Sequence, residues 1–389
     1  MLTLALMALE RSSTITERFF WARDVVDPRS GRETGTTYQG FMKALRRSAD
    51  QLLPRVQRYL RTAVRHTAGR QWWTRRGWIV MTVDGTKIDA PRTAANERVL
   101  GVVGKDKTHP QMLMTVIRHA GTGLAWDWRV GPVRSSEQNH LREMIDDLPG
   151  EALVIADALY VGFDLLSRLH ESGRSFLVRV GANVSLLRTL GFAVREEKDT
   201  VYLWPACWRT DRSPLVLRLI RIKRGTRTMF LVTNVMDRDR LSHEDAVFFY
   251  EMRWGAEIFF RSAKQTLERR TMRCAAPEQA MLELHGTMIG MVLLGLMSVA
   301  AIIARGTDPL SWSVAAALKV VRRAMGRPRK SAASLIHELG ACIKDTYHRK
   351  HPKTKRPWAR KKTESPPGYP ALRRATRAER GKAQSLRPN

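Results

Sequence analysis

The sequence predicts a mixed α/β fold, and three observations carry that expectation. Residues 1 to about 75 place apolar side chains at three- and four-residue spacing, the period of amphipathic helices. From residue 78 the period changes, and "WIVMTVDG", "PQMLMTVIRHA" and "LAWDWRVGP" are apolar or alternating runs bounded by turn residues. Beyond them, helical patterns alternate with short apolar runs, the order expected of strands and helices sharing one core.

Taken in order, "STITERFFWARDVV" and "QGFMKALRRSADQLLPRVQRYLRTAVRHTA" read as basic amphipathic helices with the turn-rich "GRETGTTYQG" between them. Residues 1–75 are therefore expected to be a helical DNA-binding region. The apolar opening "MLTLALMAL" lacks a basic start and a cleavage site, so it reads as the first turns of a helix. Residues 76–184 form the first part of a core. They hold a strand running to Asp84-Gly85, a hairpin joined by Gly121-Thr122-Gly123, and the Ser-capped, Gly-stopped helix "SSEQNHLREMIDDLPG". The buried strand "EALVIAD" ending at Asp157, the helix "YVGFDLLSRLHESG" and the strand "SFLVRVGA" complete it.

Residues 185–240 alternate like antiparallel strands and read as a β-rich insertion carrying Trp204 and Trp208. Residues 241–305 resume the core with "SHEDAVFFYEMRWGAEIFFRSAKQTLERR" as one long helix. "GTMIGMVLLGLMSVAAIIA" follows, uncharged and long enough to span a bilayer. It is the only such stretch, it is rich in small residues, and it directly follows a charged helix, so a buried core helix is expected and no membrane partner. Residues 306–345 read as C-terminal helices. Residues 346–389 read as a basic tail, disordered until it meets a polyanion: from Lys344 onward there are fifteen Lys or Arg against three acids.

Composition points to the partner. The 389 residues include 67 Lys or Arg against 37 Asp or Glu, a net charge of +30 that implies a polyanion such as nucleic acid. Cys207, Cys274 and Cys342 are odd in number and far apart, which excludes a complete disulfide framework and fits a reducing cytosol. "GVVGKDKT" misses the P-loop spacing and "AGTGLAW" lacks the third glycine of a dinucleotide fingerprint, so no small-molecule nucleotide substrate is indicated. No histidine pair has zinc spacing.

Three carboxylates remain. Singly, each has a plain structural reading: Asp84-Gly85 as a hairpin turn, Asp157 as a strand-ending turn residue, and Glu257 as part of a solvated charged face. Together they are two acids at strand ends and a third on a helix among cations. On one continuous helix, Tyr250, Arg253, Glu257 and Lys264 would project within roughly 60° of one another. Three carboxylates brought together resist ionisation. A pair of hard divalent cations removes that conflict and suits phosphodiester cleavage.

The spacing Tyr250-(2)-Arg253-(3)-Glu257-(6)-Lys264 resembles the signature of bacterial insertion-sequence DDE transposases of the IS-four kind, with every spacer matched. "VDGTKI", with Asp84 and Thr86, resembles that family's first-acid strand. "VIADALYVG", with Asp157 and Tyr160, resembles the second-acid motif, although Leu159 stands where many relatives carry glycine. The likeness covers roughly residues 78–300. It implies a ribonuclease-H-like core in which Asp84, Asp157 and Glu257 bind two Mg²⁺ or Mn²⁺ ions, while Tyr250, Arg253 and Lys264 contact phosphates at a transposon end. Trp204 or Trp208 is a further candidate, for stacking on an extruded base. The implied activity is cleavage at transposon ends followed by attack of the freed 3′-OH on target DNA, by a homodimer on double-stranded DNA in the bacterial cytoplasm, at the nucleoid. A decayed copy that only binds DNA, or a nuclease of the same fold, would leave the same motifs.

Overall fold

The chain divides into two compact units, each assembled from two separate stretches: Met1–Met144 with Met252–Lys344, and Ile145–Glu251 with Asp345–Asn389. The computed structural model describes residues 1–11, 14–31, 33–103, 109–224, 227–326, 331–345 and 368–387.

The first unit opens with α1 (Leu2–Leu9), α2 (Ile15–Ser30) and α3 (Tyr38–Trp73). A capping box between Thr14 and Glu17 starts α2, and Gly31 ends it in the left-handed conformation. β1 (Ile79–Asp89), α4 (Ala94–Leu100), β2 (Gln111–His119), β3 (Ala125–Pro132) and α5 (Glu137–Met144) follow. The three strands form an antiparallel meander with Val83 opposite Ile117 and Met114 opposite Val130. β2 is buried almost end to end, which explains its near-continuous apolar sequence.

The chain then enters the second unit. β4 (Ala152–Ala156), α6 (Phe163–Glu171) and β5 (Ser175–Val180) make a parallel crossover. β6 (Ser185–Arg188), β7 (Thr200–Leu203), β8 (Leu215–Arg224) and β9 (Arg227–Thr233) extend the sheet antiparallel, with β9 returning beside β5. α7 (His243–Glu251) closes this stretch.

Returning to the first unit, the chain forms α8 (Trp254–Arg261), a π-helical turn over Ser262–Thr266, α9 (Pro277–Ile303), α10 (Val314–Met325) and α11 (Ala332–Gly340). α9 is long and apolar enough to cross a membrane, yet 72% of its most apolar window is buried. It packs against α1, α3 and α11. Gly286 and Gly290 let α1 lie directly on it: the Leu4 side chain fills the place of a Cβ at 286, and the Ala5 carbonyl oxygen lies 2.8 Å from that place at 290. The last carbonyls of α1 are satisfied by buried Arg269, which donates to Met7 and Ala8 at 3.0 and 2.8 Å. Asp127, fully buried on β3, accepts from Arg61 and Gln57 of α3 at 2.9 and 3.0 Å and from Arg129 at 3.2 Å.

Two sequence expectations need correction. The segment read as one long helix breaks after Glu251 and restarts at α8; at the break, Gly255 and Ala256 bond the carbonyls three residues back, a tight turn. Disorder of the tail fails for its last part. β10 (Ala371–Arg374) pairs parallel with β6, and α12 (Arg377–Ser385) follows with its own capping box. Glu379 there pairs with Arg373 at 2.6 Å and with Arg209 of the insertion. Arg373 and Arg209 thus hold its carboxyl near 2, and an unpaired sheet edge at β6 gains a partner. The earlier tail, residues 346–367, lies outside the described residues.

Candidate active site

β1 carries the first acid. Asp84 is its sixth residue rather than its last, because Gly85 holds ordinary strand backbone and Thr86 and Ile88 go on pairing with Met114 and Met112. Both the strand-end and the hairpin-turn readings of Asp84 are therefore replaced. Strand alternation puts Asp84 and Thr86 on one face.

α8 carries the third acid. Arg253 stands at its N-terminus and Glu257 one turn on, the i,i+4 spacing at which side chains meet. The Arg253 fork spans two carboxylates: Nη1 lies 3.5 Å from Asp84 Oδ2, and Nη2 lies 3.5 Å from Glu257 Oε1. Asp84 also accepts from the Gly85 amide at 2.9 Å through Oδ1. Arg253 and Asp84 are mostly buried, whereas Glu257 is 38% exposed, so the guanidinium joins a sheltered acid to an accessible one. Lys264 lies on the π-helical turn and donates to Thr86 Oγ1 at 2.6 Å. Burial lowers its pKa, opposed by Asp89 and reinforced by Arg270. β1, α8 and the π turn thus bring Asp84, Arg253, Glu257 and Lys264 together within one unit.

Asp157 belongs to the second unit. It follows β4 directly and caps a short 3-10 turn, accepting from the Leu159 amide at 2.8 Å. Leu159, exposed, is not among the described residues with positive φ, so the turn makes no demand for glycine there. Tyr250 also lies in the second unit, buried on α7, which ends at Glu251. Among the described residues, no three His, Cys, Asp or Glu side chains stand close enough to form a metal cluster.

The tryptophans divide. Trp204 is 1% exposed and donates its Nε1–H to the Arg212 carbonyl at 2.8 Å, so it is a core residue of the insertion and has no face to offer a base. A small sheet must bury its own aromatic anchor, and that need outweighs the stacking role expected for it. Trp208 stacks on Phe163 with centroids 6.1 Å apart, and the Arg212 guanidinium lies 5.4 Å from its ring. Sequence reasoning missed Arg118, a buried cation on β2 beside α8; the visible signal was a lone arginine within an apolar run.

A family model for the transposase DDE domain matches residues 78–293, and those residues include all three acids and the cations around them. The chain belongs to the DDE transposase family. Members of that family act on DNA and generally depend on divalent metal. The chain is 23% identical over 227 residues to the transposase InsG of insertion sequence element IS4 from Escherichia coli K12, a match covering 55% of this chain and 50% of that protein. It therefore spans about half the length of the curated relative it matches. Among solved structures, the piggyBac transposase in a synaptic complex with hairpin DNA is similar with a TM-score of 0.42 and 12% identity, covering 69% of this chain and 58% of that one. That likeness is too weak to define the fold.

Proposed function

We propose that this DDE transposase cleaves DNA at the ends of an insertion element and joins the freed 3′-OH to target DNA. The carrying observation is the Arg253 guanidinium held between Asp84 and Glu257. Two acids far apart in sequence face one position of positive charge, and their oxygen donors suit a hard divalent cation. By the resemblance to the family's acid motifs, Asp84, Asp157 and Glu257 are the residues that would hold two Mg²⁺ or Mn²⁺ ions. Those ions would supply the charge that activates a nucleophile and stabilises the leaving oxygen.

The chain's own residues have separate tasks. Arg253 balances the acids in the absence of metal. Lys264, tied to Thr86 two residues along the strand from Asp84, supplies a second cation for the phosphates of the strand to be cut. The expected partner is double-stranded DNA, bound by a homodimer that pairs two ends in the bacterial cytoplasm. The net charge of +30 supports that partner.

A nicking assay on end-containing DNA with Mg²⁺, beside gel-shift binding in Ca²⁺, tests this reading. Asp84→Asn, Asp157→Asn and Glu257→Gln should each abolish cleavage and leave binding intact, because removing negative charge cannot weaken attraction to phosphate. Cleavage that survives any one change removes that residue from the site. Specific binding with no cleavage by the parent would mark a decayed binder, and cleavage without joining would mark a nuclease.

A further inference from the structure

The first unit contains a cavity of about 230 Å³ whose walls include Met252, Gly255, Phe259, Leu310 and Trp312. Two cations reach it, Arg118 from β2 and Lys344 from beyond α11. A void of about 150 Å³ accepts benzene, so this one has room for a phosphate group. On α8, positions 255 and 257 differ by about 200° at 100° per residue. The cavity therefore lies on the side of the helix away from Glu257, and it is separate from the acids described above.

Arg118 is the unusual member. It is 8% exposed, and its Nε donates to the Gly123 carbonyl at 2.9 Å. Its Nη1 is fully buried without a hydrogen-bond acceptor and occupies the place a Cβ would take at position 255. No carboxylate among the described residues pairs with it. Buried charges are normally paired, since an uncompensated one costs several kcal/mol or more. Burial accordingly pushes the Arg118 guanidinium down to about 10.

Lys344 is the second donor. Its Nζ bonds the Leu310 carbonyl at 2.6 Å, and its pKa is lowered by burial and by Arg118, against Asp308. Asp308 is itself engaged, accepting from the Leu310 amide at 2.8 Å and lying 3.5 Å from Arg75. The pocket thus has two cations, apolar walls and no carboxylate on its lining.

We infer that this cavity is an anion site that takes a phosphate group, held by Arg118 and Lys344 on the back of the helix that carries Arg253 and Glu257. An incoming anion would supply the missing acceptor of Arg118 and brace α8 through Gly255. A phosphodiester of bound DNA and free phosphate share this chemistry.

The test uses the full-length protein. Thermal unfolding and Trp312-sensitive fluorescence are followed in inorganic phosphate and in chloride at equal ionic strength. Phosphate should raise the melting temperature above that in chloride. Lys344→Ala, a change at an exposed residue, should weaken phosphate binding about tenfold, the loss expected for one charge-assisted hydrogen bond. Arg118→Met should abolish the effect; if that variant misfolds by circular dichroism, Lys344→Ala decides alone. Equal protection by phosphate and chloride, or an unchanged phosphate affinity in Lys344→Ala, overturns the assignment, since phosphate would then sit elsewhere on this basic protein. Duplex DNA separates the sources. Saturating phosphate should weaken DNA binding by the parent more than by Lys344→Ala if a DNA phosphodiester is the ligand, and should affect both alike if free phosphate is.

Discussion

Replacing Gly290 by alanine should destabilise the protein, although the same change in an exposed helix stabilises it by about 1 kcal/mol through helix propensity. At position 290 a Cβ would lie 2.8 Å from the Ala5 carbonyl oxygen and 3.5 Å from Leu9 side-chain atoms. The near obstacle is backbone, so it cannot turn aside as a side chain would, and α1 must move. What α1 would lose is large: Leu4, Met7 and Leu9 are buried to 2%, 4% and 4% exposure, each worth about 1.5–3 kcal/mol if fully released. Partial relaxation keeps most of that, and overpacking of this kind costs about 1–3 kcal/mol. The expected net effect is therefore a loss of about 1–2 kcal/mol, the clash exceeding the propensity gain. Adding Gly286→Ala, where the Leu4 side chain already fills the space, should undock α1. Urea unfolding measures the single variant, and limited proteolysis with N-terminal sequencing reports the double one. A midpoint equal to or above the parent's, with no new cleavage before residue 15, would refute the close α1–α9 contact.

Two other outcomes follow from buried polar groups. Asp127→Ala removes the buried acceptor shared by Arg61, Gln57 and Arg129 at the α3–β3 contact and should cost about 3–5 kcal/mol; chemical denaturation checks it, and a loss below about 1 kcal/mol would mean the network relaxes into water. His119 is fully buried between Thr122 Oγ1 at 2.9 Å and the Trp73 carbonyl at 3.0 Å, and burial pushes its pKa down to about 4 from 6.5. The unfolded chain therefore takes up a proton that the fold refuses. Stability from this group is present above pH 6.5 and should fall by about 1.4 kcal/mol per pH unit as pH drops toward 4. Denaturation midpoints across that range should flatten in His119→Gln, and an unchanged slope would assign the acid sensitivity elsewhere.

The spacing of acids and cations made much of the candidate site legible. Arg253, Glu257 and Lys264 were picked out by their spacing on a helix, and Asp84 was joined to them by the resemblance of its strand to the family's first-acid motif. The helix period misled in joining α7 and α8 into one helix, and the turn chemistry of Asp84-Gly85 misled at the supposed end of β1. Where a helix breaks or a strand continues depends on neighbours that a sequence window does not contain. The break after Glu251 is a tight turn of two backbone bonds, and β1 runs past Asp84 because β2 offers partners for Thr86 and Ile88.

By itself, then, the sequence determined the mixed α/β class, the order of strands and helices through residue 180 apart from α4, which it did not show, and the basic character that calls for a polyanion. Local periodicity, turn chemistry and charge are properties of short segments, so they are legible in the linear chain. Only the tertiary structure decided that α1 needs the two glycines of α9 and that Trp204 is a core anchor. It likewise decided that the end of the tail joins the insertion as a strand and that Arg118 is a buried cation without an acid. Each of these depends on which distant side chain or backbone fills the space beside a residue, and close packing sets that space for the whole unit at once.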